Sequence, residues 1–187
     1  TNGVNYYIAG KLLWNASADE RAILDDFYAK AFGRAAGAVR RFHGRMEKAW
    51  TDATRDGGDV SCNSLKDTRL PELFTPELMK AAAADLSEAT AAAENETIRK
   101  RVEFYRQGLR YTELTVEAVR AAKAVGASPE KRQVVAALEA CRRRSRFVED
   151  LKNDYVLPYF WVRYNDEQRA SFLPVARLEA LLKKLGD

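Results

Sequence analysis

Apolar residues recur along this chain at intervals of three and four, the spacing of one helix face, and strand-like alternation is nearly absent. Val4, Tyr7, Ile8 and Leu12, with Lys11, make a short helical stripe over residues 3–14. Ser17 and Glu20 have the S-x-x-E spacing of a capping box, which predicts a helix from near Ala18 through Ile23, Leu24, Phe27 and Ala31, stopping at Gly33. A third helix is expected over 34–55, with Val39, Phe42, Met46 and Ala49 on one side and His43 and Trp50 on its flank. Residues 56–74 have no clear period and read as a long loop. Thr75 and Pro76 then start a helix that buries Leu78, Ala82, Leu86, Ala89 and Ala93. The longest helix is expected over 96–125, carried by Ile98, Val102, Tyr105, Leu109, Thr112, Val116 and Val119. Gly126 ends it, and Ser128 with Pro129 starts the next, whose stripe is Val134, Leu138, Cys141, Ser145 and Val148. The aromatic segment 153–166 is expected to be irregular around Pro158, and a last amphipathic helix runs from Pro174 through Val175, Leu178, Leu181, Leu182 and Leu185.

Three long helices joined by short breaks predict an all-α fold, an antiparallel bundle with shorter helices at both termini. The reading is one domain over residues 1–187, with 56–74 as a soft division. Hydrophobic residues make up 47% and charged residues 31%, ordinary for a globular protein, so composition adds little. The net charge of +4 and pI of about 9.1 permit an anionic partner. Basic residues are interleaved with acids and no recognition motif appears, so nucleic acid is not expected as a partner. No run approaches a membrane span, so no membrane partner is expected either. Thr1 is no natural initiator, which suggests a mature product or one excised from a larger protein.

Chemistry is sparse. Cys62 and Cys141 lack metal-site spacing and His43 is the sole imidazole, so no metal or cofactor is expected; a disulfide and two unrelated thiols both remain open. Glycosidases need two converging carboxylates, whereas Asp25–Asp26 and Glu149–Asp150 are helix neighbours that diverge by about 100°. The serines of "SCNS" lack elbow glycines, and no phosphate loop or dinucleotide fingerprint appears. His43 could act as a base beside Arg40, Arg41 or Tyr7, but its place beside Phe42 and within a turn of Met46 favours a half-buried structural histidine. No catalytic residue is assigned.

Arginines and aromatics carry more. Arg142 and Arg146, in "CRRRSRF", are four apart on one helix face, as are Arg41 and Arg45; arginine forks suit carboxylate and sulfate. The competing reading is a solvated face paired with the chain's own acids. "YVLPYFWVRY" holds Tyr155, Tyr159, Phe160, Trp161, Arg163 and Tyr164. Exposed aromatic rings there would stack on sugar C–H faces, while Phe160 and one or two others could form a hydrophobic lid. Trp14, at the end of a Leu-Leu run, reads as core, and Trp50 is a further candidate.

The stretch "YYIAGKLLWNASADERAILDDFYAKAFGRAAGAV" resembles a segment of a bacterial domain-of-unknown-function family found in glycoside-hydrolase-like proteins. Lys11, Leu12, Leu13, Trp14, Asn15, Asp19, Phe27, Phe32, Gly33, Ala35 and Ala36 carry the likeness, and Leu86, Ala89, Arg101, Val102 and Tyr111 extend it over residues 1–120. Ala16 stands where the family often has proline, and the last 60 residues match nothing nameable. The resemblance implies a helical region that follows an α-glucuronidase-like (β/α)-barrel, with the barrel absent from this chain. It also implies a secreted or periplasmic bacterial setting.

The combined expectation is a non-catalytic carbohydrate-binding module of a polysaccharide-degrading enzyme. It would hold an anionic, uronic or sulfated polysaccharide through Trp161, Tyr159, Tyr164, Arg163, Arg142, Arg146, Arg41, Arg45 and Trp50, and its other partner would be the rest of the parent enzyme. The alternatives are a structural or dimerisation appendage of the barrel and a polysaccharide lyase built on His43.

Overall fold

The computed structural model describes residues 3–55, 69–168 and 174–186. Among these the fold is all-α, a bundle of helices in the order α1 (Gly3–Trp14), α2 (Glu20–Phe32), a 3-10 turn (Gly33–Ala35), α3 (Ala36–Thr54), α4 (Leu70–Leu73), α5 (Pro76–Ala92), α6 (Glu96–Ala124), α7 (Lys131–Asp150), α8 (Tyr159–Gln168) and α9 (Val175–Gly186). The chain divides into two compact units, Thr1–Lys48 with Glu77–Leu109, and Ala49–Pro76 with Arg110–Asp187. Cys62 and residues 56–68 of the expected loop lie outside the described residues, and the end of that loop forms the one-turn helix α4.

The first unit is built on aromatic contacts. Tyr7 of α1 packs against Phe27 of α2 at 5.3 Å, and Phe32 of α2 meets Tyr105 of α6 at 5.9 Å. Phe42 of α3 reaches the same Tyr105 at 5.9 Å. Helix α5 contributes Ala82, Leu86 and Ala89, all essentially inaccessible, so the expected alanine seam is present. Asp85 is buried beside that seam, 5% exposed, and accepts from Arg41 Nε at 3.2 Å and Arg45 Nε at 2.5 Å.

Gly33 closes α2 as its sequence position predicts. Its φ of 49° is a left-handed-side value that a Cβ disfavours, and its N–H donates to the Ala29 carbonyl. The Glu94 carboxylate lies directly over Gly33, accepts the Arg34 N–H at 3.3 Å and pairs with Arg34 Nε at 3.0 Å. Any side chain at position 33 would collide with that carboxylate. The phrase "FGR" is therefore a turn gripped from 60 residues away.

The second unit has an aliphatic core: Ala118, Val125, Val134, Leu138, Cys141 and Leu178 are buried together, with Val175, Leu181 and Leu182 packed on them. Helix α9 lays its apolar stripe on α7, as its periodicity predicts. Cys141 is a free, buried thiol.

Several helix starts differ from the sequence reading. The N-cap of α2 is Asp19, whose carboxylate accepts from the Arg21 N–H at 3.0 Å, while Ser17 turns back to Asn15. Asp competes well with Ser for this position, and its register wins here. Helix α7 starts after Glu130, which forms a reciprocal capping box with Gln133, so Ser128 and Pro129 belong to the preceding turn. Pro158 ends the irregular part of its segment, which runs in turns and bends up to that residue as expected and is helical from Tyr159. It precedes α8 and accepts from the Val162 N–H at 3.0 Å, a position where its missing N–H costs nothing. Trp14 is not core: at 94% exposed it stands in solvent, with Leu13 beside it at 89%. Helix α1 is amphipathic only over Tyr7, Ile8 and Leu12, and the Leu-Leu-Trp run carries its last two residues past that stripe.

Candidate functional site

Helix α8 has two unlike faces. Its inner face is fixed to α7 by two polar contacts: Tyr159 donates its hydroxyl to Glu149 at 2.7 Å, and Asp166 accepts from Arg144 Nη1 at 2.7 Å. Val162, between them, is buried. Residues 159, 162 and 166 share one helical side, so 160, 161 and 164 fall on the other. Phe160 is 76% exposed, Trp161 62% and Tyr164 48%, with Tyr155 on the preceding turn also in solvent. The expected lid is therefore not made by Phe160; Val156 and Val162 supply the buried contacts of this segment. Trp161 and Tyr164 meet edge to face, with ring centres 5.9 Å apart. That contact holds each ring against the other and leaves indole surface open for stacking.

The expected arginine sites fare differently from one another. Arg41 and Arg45 converge on buried Asp85, and Arg41 also binds Glu88 at 2.5 Å, so both guanidinium groups hold α3 to α5. Arg142 pairs with Glu179 at 3.0 Å, joining α7 to α9. Arg143 pairs with Glu117. Arg146, one turn beyond Arg142, is exposed and makes no ion pair among the described residues. The charge of Arg163 reaches Glu149, whose carboxyl is held below its usual range by the Tyr159 hydrogen bond first and by Lys152 next. Trp50, on α3, is 40% exposed. Of the nine expected residues, Tyr159, Trp161, Arg163 and Tyr164 share α8, with Arg142 and Arg146 on α7.

His43 is enclosed. Its ring contacts Tyr105 at 4.7 Å and Phe42 at 5.5 Å, and Nδ1 lies 2.8 Å from the Tyr28 hydroxyl. Burial lowers its pKa to about 4 and raises that of Tyr28 to about 12. A neutral imidazole with Nδ1 accepting from a neutral phenol satisfies both groups. Of the adjacent carboxylates, Asp25 is engaged by Arg40, Asp26 by Lys30 and Tyr7, and Glu149 by Lys152 and Tyr159. No His, Cys, Asp or Glu cluster among the described residues could hold a metal.

The first unit also contains a pocket of about 670 Å³ that the sequence reading passed over. Tyr7, Phe27, Phe32, Phe104 and Tyr105 line it together with Lys30, Lys100 and Arg101. The available signal was the i,i+4 spacing of Lys100 with Phe104 and of Arg101 with Tyr105, which sets cations and aromatics on one side of α6.

Residues 1–44 match the family described as Domain of unknown function (DUF4838). No curated protein and no solved structure matches the chain. The DUF4838 stretch covers α1, α2, the Gly33 turn and the start of α3 up to His43 and Gly44, so it contributes the Tyr7, Phe27, Lys30 and Phe32 wall of the pocket. The match supports the family likeness carried by "KLLWN" and "FGRAA" over that span.

Proposed function

We propose that this chain is a non-catalytic carbohydrate-binding module of a polysaccharide-degrading enzyme, with the outer face of α8 as its binding platform. The observation that carries the reading is the edge-to-face pair of Trp161 and Tyr164, both exposed on a helix whose opposite face is pinned to α7. A rigid aromatic surface stacks on a pyranose ring at little ordering cost. A preference for uronic or sulfated polymers rests on Arg146, which has no ion pair among the described residues, on Arg163 beside the platform and on the net charge of +4. Arg41, Arg45 and Arg142 are excluded from it, because each already holds a carboxylate of this chain.

The glycoside-hydrolase setting, a secreted or periplasmic bacterial location and a role beside a catalytic barrel belong to the same proposal and rest on the family resemblance. Among the described residues no helix is long and apolar enough to cross a membrane. A lyase built on His43 is disfavoured because its Nδ1 is engaged by Tyr28 and its ring packs half-buried against Phe42 and Tyr105.

Affinity electrophoresis through neutral, uronic-acid and sulfated polysaccharides tests the reading. Retardation by an acidic polymer, lost in Trp161→Ala and weakened in Arg146→Ala, is the expected result. No retardation by any polymer, with the helical circular dichroism intact, overturns it and leaves a supporting appendage as the better description. Retardation by every polyanion, unchanged in Trp161→Ala and abolished by modest salt, overturns it as well, because that is charge without a platform.

A further inference from the structure

We infer that the pocket of the first unit is a second binding site, for a small aryl carboxylate: a planar apolar body bearing one anionic group. Its size, about 670 Å³, falls within the range of roughly 300–1,000 Å³ typical of small-molecule pockets. Its rings are set at angles rather than stacked, with Phe27 and Phe32 at 71° and Phe104 and Tyr105 at 85°. Such a wall offers both ring edges and ring faces to a planar guest.

Charge decides the polar end of the ligand. No carboxylate lines the pocket, whereas Lys30, Lys100 and Arg101 do. Lys30 is neutralised by Asp26 at 2.6 Å. Lys100 has no such partner among the described residues, because its helical neighbours are committed elsewhere: Glu96 pairs with Arg99 at 2.8 Å and Glu103 with Arg106 at 3.4 Å. Arg101 donates Nη1 to the Ala31 carbonyl at 2.8 Å, which fixes its guanidinium across the pocket without neutralising it. Two uncompensated cations beside an aromatic wall suit an anion with an apolar body.

The same inventory argues against a sugar. The neutral polar side chains lining the pocket are Thr97, Tyr7 and Tyr105, and the Tyr7 hydroxyl already donates to Asp26 at 2.6 Å. A ligand rich in hydroxyl groups would lose its water against a mostly aromatic wall and find few acceptors in return, since the charged lining groups only donate. This site is therefore chemically distinct from the α8 platform and does not depend on it.

Equilibrium dialysis of the full chain against 2-naphthoate, 2-naphthylmethanol and 2-naphthylmethylamine tests the inference, because the three probes share a body and differ in charge. The carboxylate is expected to bind about tenfold more tightly than the alcohol, with the amine weakest. Lys100→Gln combined with Arg101→Gln should erase that preference and leave the alcohol's affinity unchanged. Phe104→Ala should weaken all three probes, and Trp161→Ala none. Lys100→Gln alone keeps the test decisive if the double variant does not fold, since Lys100 is exposed and makes no ion pair within the described fold. No binding of any probe, equal binding of all three, or a carboxylate preference as large in Lys100→Gln as in the wild type would overturn it.

Discussion

Arg144 of α7 and Asp166 of α8 meet at 2.7 Å with the guanidinium only 1% exposed. Arg144 Nε also donates to Thr115 Oγ1 at 3.1 Å and Nη2 to the Tyr111 hydroxyl at 2.8 Å, so a fully buried cation is held by three side chains from two other helices. A buried charge is tolerable only when so enclosed, and removing one partner strands the other. Arg144→Met is accordingly expected to cost about 3–5 kcal/mol, and the double variant Arg144→Met with Asp166→Leu should recover part of that loss. Urea unfolding of the two single variants and the double variant measures the coupling. Equal and additive losses would mean that the pair does not act as a unit.

His43 gives the fold a pH dependence of known sign. Its folded pKa is depressed to about 4 from 6.5 by burial, so the stability of the neutral ring is complete above the unfolded value and lost as pH falls toward the folded one. The loss between about pH 6.5 and pH 4 amounts to about 3 kcal/mol. His43→Gln keeps an acceptor for Tyr28 and cannot titrate. Its stability should fall less steeply across that window in denaturant titrations at stepped pH, and identical slopes would contradict the assignment.

Asp85 joins α5 to α3 through two arginines that are themselves about half exposed. Replacing it with alanine removes two charge-assisted hydrogen bonds but leaves the cations in reach of water. The expected cost is therefore about 1.5–3 kcal/mol rather than the larger value for Arg144. Thermal unfolding of Asp85→Ala beside Arg144→Met checks the ranking.

Gly33→Ala combines two penalties: a positive φ, and a Cβ placed against the Glu94 carboxylate. It is expected to destabilise by about 1–3 kcal/mol, and Glu94→Ala in the same chain should relieve the collision but not the backbone strain. Partial rescue by calorimetry is the predicted outcome. Trp14→Ser, by contrast, should change stability by less than about 0.5 kcal/mol, because an almost fully exposed side chain has no packing to lose.

What the sequence determined by itself was the run of helices, because that signal is local. The i, i+7 spacing of Val102, Leu109 and Val116 in α6 and the i, i+4, i+7 spacing of Val134, Leu138 and Cys141 in α7, with Gly33 as a stop, are fixed by residues a few positions apart. The exposed Trp161 and Tyr164 were also legible as candidates, from aromatic density alone. Helix starts were less so, since Ser17 and Asp19 offer equivalent capping chemistry two residues apart and only the fold selects between them. The fate of each arginine was undetermined. Arg142, Arg144 and Arg146 are chemically identical in "CRRRSRF", yet one pairs with Glu179, one is sealed against Asp166 and one faces water. The pocket was hidden for the same reason, as its walls come from residues about 70–95 positions apart, Tyr7 to Arg101 and Ala31 to Arg101 among them. Periodicity records which side of a helix is apolar, whereas only tertiary packing brings a distant acid to one arginine and leaves another cation beside an aromatic wall.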